Sequence, residues 1–214
     1  MPVRKIPKNY RSVTGAFASL KNGRKVFHES LLERDFFLMQ EFDNSVKSYE
    51  EQPIEIYYTY NGKKIKYTPD CLVHYNDSRK PCIYEVKFSN EIKEKKVFLQ
   101  QKFEQIEEYL NDNDMDFKLF TEMDVDSIYL DNLKFLYNFS VIRNQTKIDS
   151  IKKVFLKNTQ ITYQDFLNTY SSNRYEQAEV IPYIWYLVLT NFLSIDLYKK
   201  ICNDTILKVV KWAN

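Results

Sequence analysis

The hydrophobic and polar positions of this chain change period several times, and each change marks an element. Over residues 29–42, Leu31, Leu32, Phe36, Met39 and Phe42 recur at helical spacing, which predicts an amphipathic helix that Asp43-Asn44-Ser45 ends. Over residues 54–60 the period falls to two, with Ile54, Ile56, Tyr58 and Tyr60 on one face of a strand. Asn61-Gly62 is a favoured two-residue hairpin turn, so 63–67 is its return strand. Pro69 marks a break or an edge, 71–75 continues as a strand, Asn76-Asp77-Ser78 turns, and 81–88 is a further strand. Residues 90–110 return to helical spacing through Ile92, Val97, Phe98, Phe103, Ile106 and Leu110, and 117–120 is a short apolar strand. Helix, hairpin, strand, strand, helix and strand make an α/β unit that ends near residue 123.

Past Asp124 and Asp126 the pattern is mostly helical. Residues 128–141, 148–156, 163–170 and 176–192 read as helices, with Thr162 as an N-cap and Ser172 or Asn173 just before the last. Residues 194–198 and 205–212 read as two short strands. Helices followed by a hairpin is the winged-helix order. The chain therefore divides into an arm over 1–25, an α/β domain over 26–125 and a mostly α domain over 126–214.

Composition narrows the class. At 214 residues and 44% hydrophobic content a sizeable core can form. The most apolar stretch, 181–193, is too short for a membrane span and is interrupted by Pro182 and Asn191. The basic start leads into no apolar signal core, so the expected location is the cytoplasm, with no membrane partner. Cys71, Cys82 and Cys202 form no CxxC pair and reach no familiar zinc spacing with His28 and His74, so they read as reduced thiols. Carboxylates are the plentiful metal ligands, which favours magnesium or manganese if a metal binds. Three glycines, Gly15, Gly23 and Gly62, exclude the Gly-rich nucleotide-binding loops. The net charge is only +2, but no acid precedes Glu29. Arg4, Lys5, Lys8, Arg11, Lys21, Arg24 and Lys25, interleaved with Tyr10 and Phe17, suit an arm for DNA phosphates. A solvated terminus is the alternative.

The chemistry lies in the strand over 81–88. Glu85 and Lys87 share one face of it, while Cys82, Tyr84, Val86 and Phe88 share the other. Charges in a strand that otherwise reads as buried must be paired or bound to metal. Asp70, after Pro69, starts a neighbouring strand, and its carboxylate can converge with Glu85 on a divalent ion. Lys87 reaches the attacking water or the scissile phosphate. Glu33 on the first helix is an additional ligand, with Glu29 its competitor one turn away. A plain surface ion pair is the other reading of Glu85 and Lys87.

Pro69-Asp70 followed by Glu85-Val86-Lys87 resembles the PD-(D/E)xK nucleases. That resemblance implies the Val86 carbonyl as a further metal ligand and gives Gln105 and Tyr109, four apart on one helix face, an accessory place near the site. Ser30-Leu-Leu-Glu33-Arg-Asp-Phe-Phe, Ser48-Tyr-Glu-Glu-Gln-Pro53, Tyr67-Thr-Pro-Asp70 and Tyr84-Glu-Val-Lys87 together resemble TnsA, the endonuclease subunit of heteromeric cut-and-paste transposases. The resemblance spans roughly residues 10–125. It implies a restriction-endonuclease-like core followed by a winged-helix domain. It also implies a magnesium site of Glu33, Asp70, Glu85 and Lys87 that cuts the 5′ strand at transposon ends. The implied partners are DNA, an integrase-type transposase subunit and an AAA+ regulator docked by the C-terminal domain. The implied setting is a prokaryotic cytoplasm, at the nucleoid when active. Two alternatives stay open: a stand-alone restriction or repair nuclease, and a catalytically silent winged-helix adaptor. The apolar 176–192 helix, with Arg174 as its one basic neighbour, suits a protein partner better than phosphates.

Overall fold

The structure, a computed structural model, describes residues 14–155 and 159–210. Arg4, Lys5, Lys8 and Arg11 lie outside the described residues. The chain separates into two compact units, Met1–Val125 and Asp126–Asn214.

The first unit opens with a hairpin of β1 (Gly15–Ser19) and β2 (Arg24–His28), where composition alone pointed to an arm. Gly23 turns it at φ 63°, a conformation that favours glycine. Two of its cations, Lys21 and Arg24, serve the fold. Lys21 Nζ donates to the carbonyls of Gln40 and Asp43 at 2.8 and 2.6 Å, at the C-terminal end of α1 (Leu31–Phe42). Arg24 makes two bonds to Glu51 at 2.7 and 2.6 Å. Glu41 ties the hairpin turn to the helix by accepting the Ser19 hydroxyl and the Leu20 and Lys21 N–H groups.

Next come β3 (Val46–Glu51), the hairpin of β4 (Ile56–Tyr60) and β5 (Lys63–Tyr67), β6 (Cys71–Tyr75) and β7 (Cys82–Val86). Two helices follow, α2 (Ser89–Glu94) and α3 (Lys96–Asp112), and then β8 (Asp116–Phe120). The expected single helix breaks at Lys95, inside the charged run Glu91–Lys96, where only Ile92 is apolar. The main sheet has the order β3-β6-β7-β8; its first two pairings are antiparallel and β7–β8 is parallel, the return made through α3.

Strand alternation gives this sheet two apolar faces. Cys71, Val73, Val86 and Phe120 pack with Val26, Leu32, Phe36, Phe37, Val46 and Tyr49, the face under α1 and the first hairpin. Ile83 and Leu72 pack with Ile56, Tyr58 and Tyr67 of the second hairpin and with Leu99, Phe103, Ile106 and Leu110 of α3. Gln105 holds that hairpin to the helix: its amide accepts the Thr59 N–H and donates to the Thr59 carbonyl, each at 2.9 Å.

The second unit runs α4 (Ser127–Tyr137), α5 (Gln145–Phe155), β9 (Gln160–Thr162), α6 (Tyr163–Tyr170), α7 (Arg174–Leu189), β10 (Leu193–Ser194) and β11 (Ile206–Val209). Asp126, Thr162 and Asn173 cap the starts of α4, α6 and α7 with side-chain oxygens. The three strands form one antiparallel sheet, β10-β11-β9. The core of the unit includes Leu133, Leu136, Ile151, Phe166, Ile184, Trp185 and Leu187, all 2% exposed or less. Among the described residues no helix is long and apolar enough to cross a membrane.

Candidate active site

The end of β7 gathers the charges. Cys71 pairs with Tyr84, so Asp70, one residue before β6, stands opposite Glu85. Asp70 Oδ2 accepts the Val86 N–H at 2.7 Å, and the Asp70 carbonyl accepts the Gln52 N–H at 3.1 Å. Gln52 holds a left-handed backbone at φ 46° to reach it. No donor among the described residues reaches Asp70 Oδ1.

Glu85 lies two residues beyond Ile83 and so faces the second hairpin and α3. It is 2% exposed, and its partners satisfy both oxygens. Oε2 accepts the Tyr67 hydroxyl. Oε1 takes Lys87 Nζ at 2.9 Å and Lys102 Nζ at 3.2 Å. Lys102, from the middle of α3, lies over the Tyr67 ring at 3.6 Å. Lys87 follows the end of β7, and its N–H donates to the Phe120 carbonyl at 3.0 Å.

Glu33 is placed by the start of α1. Ser30 caps that helix by accepting the Glu33 N–H at 3.1 Å, and the Glu33 carboxylate accepts the Ser30 hydroxyl at 3.0 Å and the Glu29 N–H at 2.7 Å.

These groups feel one another electrostatically. Burial, then the neighbouring Glu85 and Glu33 charges, hold the Asp70 carboxyl well above the usual range. Burial raises Glu33 as well, against the Glu29 N–H and Ser30 hydroxyl that favour its charged form. Burial pulls Lys87 down, but the Glu85 and Asp70 carboxylates outweigh it and the net shift is upward. Lys102 shifts the other way, because burial there exceeds the pull of Glu85.

Of the residues expected from sequence, Asp70, Glu85, Val86 and Lys87 meet here, and Glu33 acts on the group through its charge. Among the described residues no three His, Cys, Asp or Glu side chains converge closely enough to hold a metal ion. The donor pair that remains is Asp70 with Glu85. Its oxygens are hard donors, which fit magnesium or manganese better than a softer ion, and among the described residues no donor occupies Asp70 Oδ1. Gln105 spends its amide on Thr59, and Tyr109 is 40% exposed on α3. Sequence reasoning gave no role to Tyr67, which it named only within Tyr67-Thr-Pro-Asp70, and missed Lys102. The signal for Lys102 was present: it falls between Leu99 and Ile106 on the buried stripe of α3, where a lysine needs a partner.

Comparison with curated proteins finds no match. Comparison with protein families finds two. Residues 43–122, which hold Asp70, Glu85 and Lys87, match the family described as TnsA-like endonuclease N terminal. Residues 124–197 match the one described as TnsA endonuclease C terminal. The paired carboxylates and lysine at the strand ends, and two successive matches to halves of one enzyme, agree: the chain belongs to the TnsA family, the endonuclease subunit of a transposase.

Proposed function

We propose that this protein hydrolyses the 5′, non-transferred strand at transposon ends in a magnesium- or manganese-dependent reaction. The observation that carries this reading is Asp70 standing opposite Glu85 with the Lys87 ammonium at the same strand end. Asp70, Glu85 and the Val86 carbonyl would hold the ion, with Glu33 assisting by its charge. When bound, such an ion lowers the pKa of water and neutralises charge that develops on the phosphate. Lys87 meets the scissile phosphate or the attacking water. The Val86 N–H fixes the Asp70 carboxylate through Oδ2, which would leave Oδ1 for the ion.

The partners follow from the family: DNA ends, an integrase-type transposase subunit and an AAA+ regulator. After α4, the order helix, strand, helix, helix, strand, strand from α5 to β11 supports a winged helix. Its helix α7 spends Val180, Ile184, Trp185, Leu187 and Val188 on the core. That leaves little for reading bases and favours docking a protein. Residues Arg4, Lys5, Lys8 and Arg11 supply phosphate contacts, and neutralising them flattens the salt dependence of DNA binding.

The test is end cleavage in the assembled transposase, with each strand labelled separately. Lys87→Ala loses cleavage while its fold and its metal-induced rise in Tm persist. Asp70→Ala loses cleavage and the metal-induced rise together. A Lys87→Ala protein that cuts at the wild-type rate would overturn the mechanism.

A further inference from the structure

We propose that Tyr67 and Lys102 form a buried clamp that holds the Glu85 carboxylate in place, leaving Lys87 free to exchange Glu85 for the DNA phosphate. The inference rests on the reading of Glu85 as a metal ligand and of Lys87 as the phosphate-facing cation.

The geometry separates the two lysines that share Glu85 Oε1. Lys102 springs from the middle of a 17-residue helix, between Leu99 and Ile106 of the core. Its side chain is 9% exposed, and its ammonium is pinned over the Tyr67 ring at 3.6 Å. Tyr67 in turn gives its hydroxyl to Glu85 Oε2. Glu85, Tyr67 and Lys102 thus each touch the other two, and their backbones belong to three regular elements: β7, β5 and α3. Lys87 differs on every count. It lies past the end of its strand, its side chain is 22% exposed, and Glu85 is its one ion-pair partner within bonding distance among the described residues.

A single cation could not serve both purposes. If Lys87 were the sole partner of Glu85, its departure toward a phosphate before an ion binds would leave a carboxylate 2% exposed without a countercharge, and after an ion binds would leave that carboxylate with no group to orient it. Its retention would leave the phosphate unattended. The second lysine removes the conflict, and the Tyr67 hydroxyl holds Oε2, so that both lysines meet Oε1. Tyr67 ends β5 and directly precedes Thr68-Pro69-Asp70, so the segment that leaves the clamp leads to the other carboxylate at the start of β6.

The experiment compares Lys102→Met, Lys102→Arg, Tyr67→Phe and Lys87→Ala in the full chain. Two readings are taken: the manganese concentration that half-saturates the rise in Tm, with manganese chloride alone, and kcat and KM for end cleavage in the assembled transposase. Residues that orient metal ligands typically cost ~10–100-fold in metal affinity or activity when removed. Lys102→Met and Tyr67→Phe are therefore expected to raise the manganese midpoint about tenfold or more and lower kcat by a similar factor, with KM for DNA nearly constant. Lys102→Arg recovers most of both, because it restores the cation. Lys87→Ala loses kcat but keeps the midpoint. A manganese midpoint and kcat within about twofold of wild type in both Lys102→Met and Tyr67→Phe would overturn the clamp, even with a lowered Tm, because that is the pattern of ordinary packing. If the wild-type protein shows neither manganese response nor cleavage, the metal-nuclease reading fails by itself. The clamp is then judged on Tm: it stands if Lys102→Met is the more damaging substitution and falls if Lys87→Ala is.

Discussion

Replacing Arg24 by alanine costs the first unit its stability before it costs any DNA binding. The Arg24 guanidinium meets the Glu51 carboxylate in a two-pronged pair at 2.7 and 2.6 Å. Glu51 is 1% exposed in that pair, while the Arg24 side chain is 34% exposed. Without Arg24 the buried carboxylate keeps, among the described residues, only the Phe27 N–H at 3.4 Å. Removing one partner of a buried pair costs ~3–5 kcal/mol, and water at the guanidinium places this one near the lower bound, about 3 kcal/mol. At ~2–4 °C per kcal/mol for a chain of this size, Tm falls by roughly 6–12 °C. Glu51→Gln, which removes the buried charge itself, costs about 1 kcal/mol. The assay is a pair of measurements: thermal melts of both variants, and the salt dependence of DNA binding by Arg24→Ala well below its Tm. If Tm stays within about 1 °C of wild type while the salt slope flattens, Arg24 is a phosphate contact and the hairpin assignment of its charge is wrong.

Two further outcomes follow from burial. Asp70→Asn raises Tm at neutral pH, because it keeps an acceptor for the Val86 N–H and removes a charge crowded by burial, Glu85 and Glu33. The folded Asp70 pKa lies above its unfolded value, so its contribution is favourable below the unfolded pKa and is lost as pH rises through the folded one. The advantage of the asparagine protein is thus largest at neutral pH and vanishes as pH falls toward about 4; a pH series of melts with a constant difference would refute this. Trp185→Ala, at a position 2% exposed and in ring contact with Phe135 and Tyr163, costs about 3–5 kcal/mol. Denaturant melts and the onset of proteolysis in residues 126–214 measure it.

The parts of the fold that were legible in sequence carry their apolar residues regularly, as one stripe or as a short run buried on both faces. Helix α1, the β4–β5 hairpin and strands β6 to β8 all alternate or recur at their proper period, and Asn61-Gly62 marks its turn outright. The parts that were missed owe their form to distant polar partners. β3 carries Lys47, Ser48, Glu50 and Glu51, a poor strand pattern, yet Glu51 is buried because Arg24 lies 27 residues away. The β1–β2 hairpin has only Phe17, Val26 and Phe27 as large apolar strand residues and is anchored by Glu41, about twenty residues on. Composition sees only the charges of such a segment, not where their partners are, so a structural hairpin and a DNA arm look alike. β9 is three residues long and exists through its pairing with β11.

The site was legible for the same reason that it is costly. Charged residues in a strand break the pattern of burial, so Glu85 and Lys87 stand out, and Pro69 marks Asp70. A helix hides its exceptions better. Lys102 sits among Leu99, Phe103 and Ile106, where its place on the buried stripe is the one signal and its good helix propensity masks it. Its role appears only once α3 is folded over β7 and the ammonium is found beneath a hydroxyl-bearing ring. A pairwise motif names the residues proposed to act on the phosphate. The residues that keep those charges affordable inside a core come from other elements, chosen by geometry rather than spacing, and they are the ones that a motif omits.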